Sequence, residues 1–260
     1  MWVIKMAAAL ALASYAADTG PGRFLKKGDG VVLVADLASG GRFTESRGGG
    51  AGAAPPASLF KIADALALAR AGRPAAVYCR GGCSRRPGHG AVSLRAAFAH
   101  SCNNFFRERL VERETLLAAG LELGLARAEA LPALRRAPAG ELALGLSPGL
   151  ALTPEELLEA AALWPAGPAW PILRPLLSAC VAEGTCAPAR LPGMTVAGKT
   201  GTAPAPDGSG ATSGWFVGFA PAEAPRAVVV VFLDRGQGRD AAAAAGEVLA
   251  WWFRSSSSPL

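Results

Sequence analysis

Three short stretches of this 260-residue chain carry residue types that could do chemistry together. The first is Ser58-Leu59-Phe60-Lys61. A serine hydroxyl is a weak nucleophile unless a base lies within hydrogen-bond reach, and residues at i and i+3 share a helix face, so Lys61 is placed to be that base. Backbone N–H groups at a helix start can also hold a developing oxyanion. The second is Ser101-Cys102-Asn103, where a second hydroxyl could relay a proton and an amide could hold a substrate amide or carbonyl. The third is Lys199-Thr200-Gly201-Thr202. It offers two hydroxyls for an anionic substrate end and a glycine whose missing side chain lets substrate approach a strand edge. To act as a base near pH 7, Lys61 must lose about three pH units from its ordinary value, roughly 4 kcal/mol. Burial and the like charge of Lys199 together supply that. Read singly, the first stretch is better explained as a capping serine with a snorkelling lysine, and the second is equally a helix cap before Phe105-Phe106.

These residues need a frame. Residues 31–36 and 42–44 read as two early strands joined by a turn, and 47–57 as a Gly/Ala/Pro loop. A helix is expected over 58–71, stopped by Gly72-Arg73-Pro74. From about 91 to 190 the apolar spacing is helical, with Thr153-Pro154-Glu155-Glu156 as a clear helix start. Strand periods return at 194–197, 214–220 and 227–233, with Asp207-Gly208 as a turn between the first two, and a last helix spans 240–253. Early and late strands bracketing a helical block imply an α+β fold: one sheet assembled from both chain ends, with helices inserted. A site would lie where sheet and insertion meet.

Taken together and in this order, the three stretches resemble the penicillin-binding protein transpeptidase domain of the serine D,D-peptidase/β-lactamase-like superfamily. The likeness covers residues 30 to 253 and extends to whole blocks: PPASLFKIADALALA, HGAVSLRAAFAHSCNNFF, LTPEELLEAAAL, VAGKTGTA and GWFVGFAP. It implies an antiparallel, β-lactamase/transpeptidase-like sheet with an all-helical insertion at about 65–190. It also implies a serine acyltransferase acting on D-Ala-D-Ala stem peptides of peptidoglycan, as D,D-transpeptidase or carboxypeptidase, and acylated by penicillin. Ser58 would be the acylated nucleophile, Lys61 its base and Ser101 the proton relay. Asn103 would bind the substrate amide; Lys199, Thr200, Gly201 and Thr202 would receive its carboxylate. The N–H groups of Ser58 and Thr202 would hold the oxyanion. No metal or organic cofactor is implied. Two rivals follow from the same resemblance: a class D-like β-lactamase, which shares Trp215-Phe216-Val217-Gly218 but usually has Val where Asn103 stands, and a non-catalytic β-lactam-binding sensor. A class A β-lactamase is excluded, because its Glu-x-x-Leu-Asn loop needs an asparagine after Asn104 and there is none.

The net charge of +6 is spread in basic runs no longer than two, so no nucleic-acid footprint is expected; the partners implied are stem peptides, β-lactams and unspecified cell-wall proteins. Lys5, an apolar run over 6–13 and Ser14-Tyr15-Ala16-Ala17 read as an export signal over 1–17, giving a periplasmic or extracytoplasmic protein. The domain is then 18–254, standing without a membrane anchor or pedestal module, and 255–260 is a flexible tail. In an oxidising compartment Cys79–Cys83 and Cys180–Cys186 are the proximal pairs, leaving Cys102 as a packed thiol. A zinc site from Cys79, Cys83 and His89 is a competing reading, but the CxxC spacing is missing.

Overall fold

The computed structural model describes residues 23–25, 28–48, 52–72, 76–81, 83, 87–109, 111–205 and 208–256. The expected export signal and its cleavage site lie outside them. Two early strands open the chain, β1 (Gly30–Asp36) and β2 (Arg42–Arg47), and helix α1 (Lys61–Arg70) follows. A short ribbon, β3 (Val77–Cys79) and β4 (Gly90–Val92), leads into helices α2 (Leu94–Ala99), α3 (Asn103–Glu108) and α4 (Arg113–Glu122). Then come α5 (Leu131–Leu134), α6 (Ala139–Ala143), α7 (Pro154–Leu163) and α8 (Trp170–Glu183). Strands β5 (Ala197–Pro204), β6 (Thr212–Ala220) and β7 (Ala227–Leu233) and helix α9 (Gly238–Ser256) close it.

The five long strands form one sheet in the order β2-β1-β7-β6-β5, every pair antiparallel. Chain end thus meets chain start at the β1–β7 seam, where Val32 pairs with Val231. The run Ala-Val-Val-Val-Val-Phe-Leu of β7 is buried at every position, because a central strand covered on both faces has no solvent side to make polar. Helices α9 and α7 pack against it. At the start of α7, Thr153 accepts the Glu156 N–H at 3.1 Å while the Glu156 carboxylate accepts the Thr153 N–H at 2.8 Å. The reciprocal cap uses the carboxylate structurally and holds the helix start.

Three differences from the sequence expectations matter for the site. The strand expected at 194–197 instead begins at Ala197 and runs through the whole Lys-Thr-Gly-Thr motif. The insertion is not all helical: β3 and β4 pair near its start, each three residues long and too short to show an alternating pattern. The expected Cys79–Cys83 bridge is not formed. The two sulfurs stand 3.3 Å apart, with the His89 Nδ1 3.1 Å from that of Cys83, so the thiols face a shared centre instead of each other alone. Cys180 and Cys186 are joined by a disulfide.

Candidate active site

Ser58 lies in a 3-10 turn, Ala57–Leu59, directly before α1. The turn is closed by the N–H of Leu59 donating to the Pro56 carbonyl (3.1 Å) and that of Phe60 to Ala57 (2.9 Å). Ser58 is half-buried one turn before Lys61, and among the described residues its hydroxyl makes no hydrogen bond to the Lys61 amine, whose partners are Ser101 and Asn103. Ala57, one residue earlier, has φ +49°, a left-handed conformation unusual for a residue with a Cβ. It is held there by its N–H donating to Gly145 O at 3.0 Å. Gly145 is itself left-handed (φ +69°), and a Cβ there would lie 2.1 Å from the Ala57 carbonyl oxygen.

Ser101 also sits in a left-handed conformation, φ +53°. It ends α2 in the position glycine normally takes: the N–H of Ser101 donates to Phe98 O (3.2 Å) and that of Cys102 reaches back to Ala97 O (2.8 Å). A serine there costs about 1–2 kcal/mol relative to relaxed backbone. In return its hydroxyl is aimed at two lysines. Lys61 Nζ is 3.2 Å from Ser101 Oγ, 3.0 Å from the Ser101 carbonyl and 2.6 Å from Asn103 Oδ1, while Lys199 Nζ is 3.1 Å from the same hydroxyl and 3.1 Å from Thr200 O. Each ammonium also faces an aromatic ring, Lys61 over Phe106 and Lys199 over Phe98, both at 5.4 Å from the centroid. Segments 40 and 98 residues from Ser101 in the chain thus converge on its hydroxyl.

Both lysines are fully buried. Burial drives the Lys61 amine down to about 7, with Arg107 the one nearby cation adding to the fall; Asp64 and the neighbouring thiols oppose it. Lys199 is lowered chiefly by burial and then by the charge of Lys61. The expected mutual effect of the two ammoniums is therefore secondary to burial. A neutral Lys61 offers a lone pair for the proton of a serine. One residue turn further along α1, Asp64 is buried with neither carboxylate oxygen hydrogen-bonded, and burial raises it to about 8 against the pull of Lys61. The sequence pattern gave no cue to it, because an Asp three residues from a Lys on a helix usually marks a solvated pair.

Along β5 side chains alternate, so Lys199 and Gly201 share one face and Thr200 and Thr202 the other. A Cβ on Gly201 would lie 2.6 Å from Pro56 O and 3.3 Å from Leu59 Cγ. The glycine thus lets the Ser58 turn sit against β5, where the sequence reading had it making room for substrate. Trp215 on β6 fixes the same loop by donating from Nε1 to Pro55 O at 3.1 Å. The Thr200 hydroxyl lies 2.6 Å from that of Thr185, a residue the sequence did not single out. Thr185 sits in the loop closed by Cys180–Cys186, and its N–H donates to Ala99 O at 3.0 Å, tying that loop to the end of α2. Thr202 is exposed, and its Oγ1 accepts the first N–H of α9, from Gly238, at 2.9 Å. Its own O–H proton remains available to an incoming acceptor.

Residues 171–252 match the family model of the penicillin binding protein transpeptidase domain. The fold is similar to the D,D-transpeptidase domain of a peptidoglycan glycosyltransferase from Eggerthella lenta, with TM-score 0.71 and 20% identity over 91% of this chain and 80% of that one. It is also similar to the transpeptidase domain of Burkholderia pseudomallei penicillin-binding protein 3, with TM-score 0.70 and 20% identity over 97% and 94% of the two chains. Pseudomonas aeruginosa PBP2, solved in complex with WCK 5153, gives TM-score 0.70 and 22% identity over 88% and 74%. No curated protein sequence matches.

Proposed function

Starting from a chain with the fold of a penicillin-binding transpeptidase domain and that family's match over residues 171–252, we propose a serine acyltransferase of the D,D-transpeptidase or D,D-carboxypeptidase type. Its substrates are D-Ala-D-Ala stem peptides of peptidoglycan, and penicillins acylate it. The observation that carries this reading is the single hydroxyl of Ser101 shared by Lys61 and Lys199 at 3.2 and 3.1 Å.

In the first half-reaction the neutral amine of Lys61 takes the proton of Ser58 as Oγ attacks the carbonyl carbon of the penultimate D-Ala. The N–H groups of Ser58 and Thr202 face the oxyanion; the close approach of Pro56 to Gly201 supports this pairing by setting the two backbones side by side. Collapse breaks the peptide bond. The leaving amine takes a proton from Ser101 Oγ, which is replenished from the lysine ammonium beside it. An ester to Ser58 remains, and an amine or water then attacks it by the reverse proton path. Because Lys199 is fully buried and is hydrogen-bonded to Ser101 and Thr200, the substrate carboxylate is met by the exposed Thr202 hydroxyl, with Lys199 holding the Ser101 hydroxyl. Asn103 Oδ1 holds Lys61, leaving its Nδ2 for the substrate amide. Action on peptidoglycan puts the site outside the cytoplasm; among the described residues no helix is long and apolar enough to cross a membrane.

The test is incubation with a fluorescent penicillin followed by a chase with unlabelled drug. One long-lived label per chain is expected. Rapid steady-state hydrolysis stimulated by bicarbonate would replace this reading with the class D-like one, and no label at all would leave a non-acylating protein.

A further inference from the structure

Behind the Ser101–Asn103 motif, four metal-ligating side chains meet. Cys79 ends β3, Cys83 follows in the connecting loop, His89 immediately precedes β4, and Cys102 stands between the two motif residues. Their donor atoms all lie within 4.8 Å of one another. The Cys79 and Cys83 sulfurs are 3.3 Å apart, and His89 Nδ1 is 3.1 Å from Cys83 Sγ and 3.6 Å from Cys79 Sγ. A tetrahedron with metal–sulfur bonds of about 2.3 Å has edges of ~3.8 Å, a little longer than the 3.1 to 3.6 Å separations here and within the 4.8 Å span of the set. A disulfide between Cys79 and Cys83 would need about 2.05 Å and would leave His89 and Cys102 with no reason to converge.

We propose that Cys79, Cys83, His89 and Cys102 hold one zinc(II) ion in a closed Cys3His site that fixes the Ser101–Asn103 motif against the β3–β4 ribbon. Three thiolates and an imidazole in tetrahedral array suit zinc, and with all four positions filled by protein the ion is structural, with no open position for catalysis. The surroundings are those of a ligand cage. Cys79 and Cys102 are fully enclosed, and Asn104 donates from Nδ2 both to Gly81 O and toward Cys79 Sγ at 3.6 Å, an outer-sphere contact that orients a thiolate. The imidazole of His89 stacks on that of His100. The loop folds tightly on itself: Gly88 has φ +148°, and a Cβ there would lie 2.3 Å from the Cys79 carbonyl oxygen. The ion joins the β3–β4 ribbon to the segment between α2 and α3. Ser101 and Asn103, the neighbours of Cys102, are the residues that hold Lys61 Nζ.

Metal content of the untagged full chain, purified with a thiol reductant and without chelator, should be one zinc per chain. Replacement by cobalt(II) should give the intense visible and thiolate-to-metal bands of a tetrahedral thiolate site. Cys83→Ser, at the half-enclosed ligand, should lower zinc retention at least tenfold in competition with a chromogenic chelator. Absence of zinc and of cobalt bands, with Cys79 and Cys83 recovered as a disulfide, would overturn the proposal; so would zinc retention unchanged in Cys83→Ser. The link to the motif rests on the function proposed above, and is read separately. Chelation should slow penicillin acylation at least tenfold, reversed by zinc. Stoichiometric zinc in a protein that penicillin never labels would keep the metal site and discard the acyltransferase reading. Stoichiometric zinc whose removal leaves acylation unchanged would overturn the tie to the motif.

Discussion

Acylation should follow the ionisation of one buried amine. At its ordinary value of 10.5 a lysine is neutral in ~1 molecule in 3,000 at pH 7, whereas at about 7 Lys61 is neutral in about half. Burial therefore raises the population of the base form by roughly a thousandfold at neutral pH. Second-order acylation by a penicillin, followed by rapid-quench labelling from pH 5 to 9, should fall about tenfold per pH unit below 7 and level off above it. The same burial costs about 5 kcal/mol of folding free energy at acid pH, where the amine must be charged inside. The folded pKa lies below the unfolded one, so the unfolded chain binds more protons between about 7 and 10.5, and stability rises with pH across that window. Asp64, raised to about 8, acts with opposite sign: the stability it contributes at acid pH is lost as pH climbs from about 4 to 8. Chemical denaturation of wild type and Lys61→Met compared between pH 8 and 10 isolates the lysine, whose variant should lose its share of the rise. An acylation profile that is flat from pH 5 to 9, or one still climbing tenfold per unit at pH 9, would refute the reasoning.

Three further outcomes follow from the geometry. Ser101→Gly should relieve the left-handed strain and stabilise the protein by about 1 kcal/mol in urea denaturation while slowing acylation at least a hundredfold, because the shared hydroxyl is gone. Gly201→Ala places a Cβ 2.6 Å from Pro56 O; it should leave the far-ultraviolet circular dichroism native and slow acylation at least ~10-fold by shifting the Ser58 turn. Cys186→Ser opens the loop that carries Thr185 and should cost about 2 kcal/mol, measured as a lower urea midpoint.

Much of this was readable from the sequence, for physical reasons that differ by element. The strand β7 declared itself because seven consecutive apolar residues can only be buried on both faces. The cap of α7 did so because Thr-Pro-Glu-Glu satisfies the first N–H groups of a helix from its own side chains. The candidate site residues stood out because three motifs in this order resemble those of a known family, whereas each motif read singly was ambiguous. What stayed hidden depends on contacts between distant segments. The left-handed backbone at Ala57 and Ser101 leaves no trace in residue type, as neither is glycine. Gly201 looked like space for a ligand until Pro56 was seen against it. Asp64 is silent because its burial is decided by the packing around α1. Cys102 read as a small apolar residue because its partners, Cys79, Cys83 and His89, lie on a ribbon too short to recognise and 13 to 23 residues away.

The central claim is that Ser58 is the nucleophile, and mass spectrometry of the penicillin-treated protein tests it most directly. Intact mass should rise by one penicillin per chain, and digestion should place the adduct on the peptide containing Ser58. Ser58→Ala should remain folded and unlabelled. An adduct mapped to any other residue, or equal labelling of Ser58→Ala, would contradict the account.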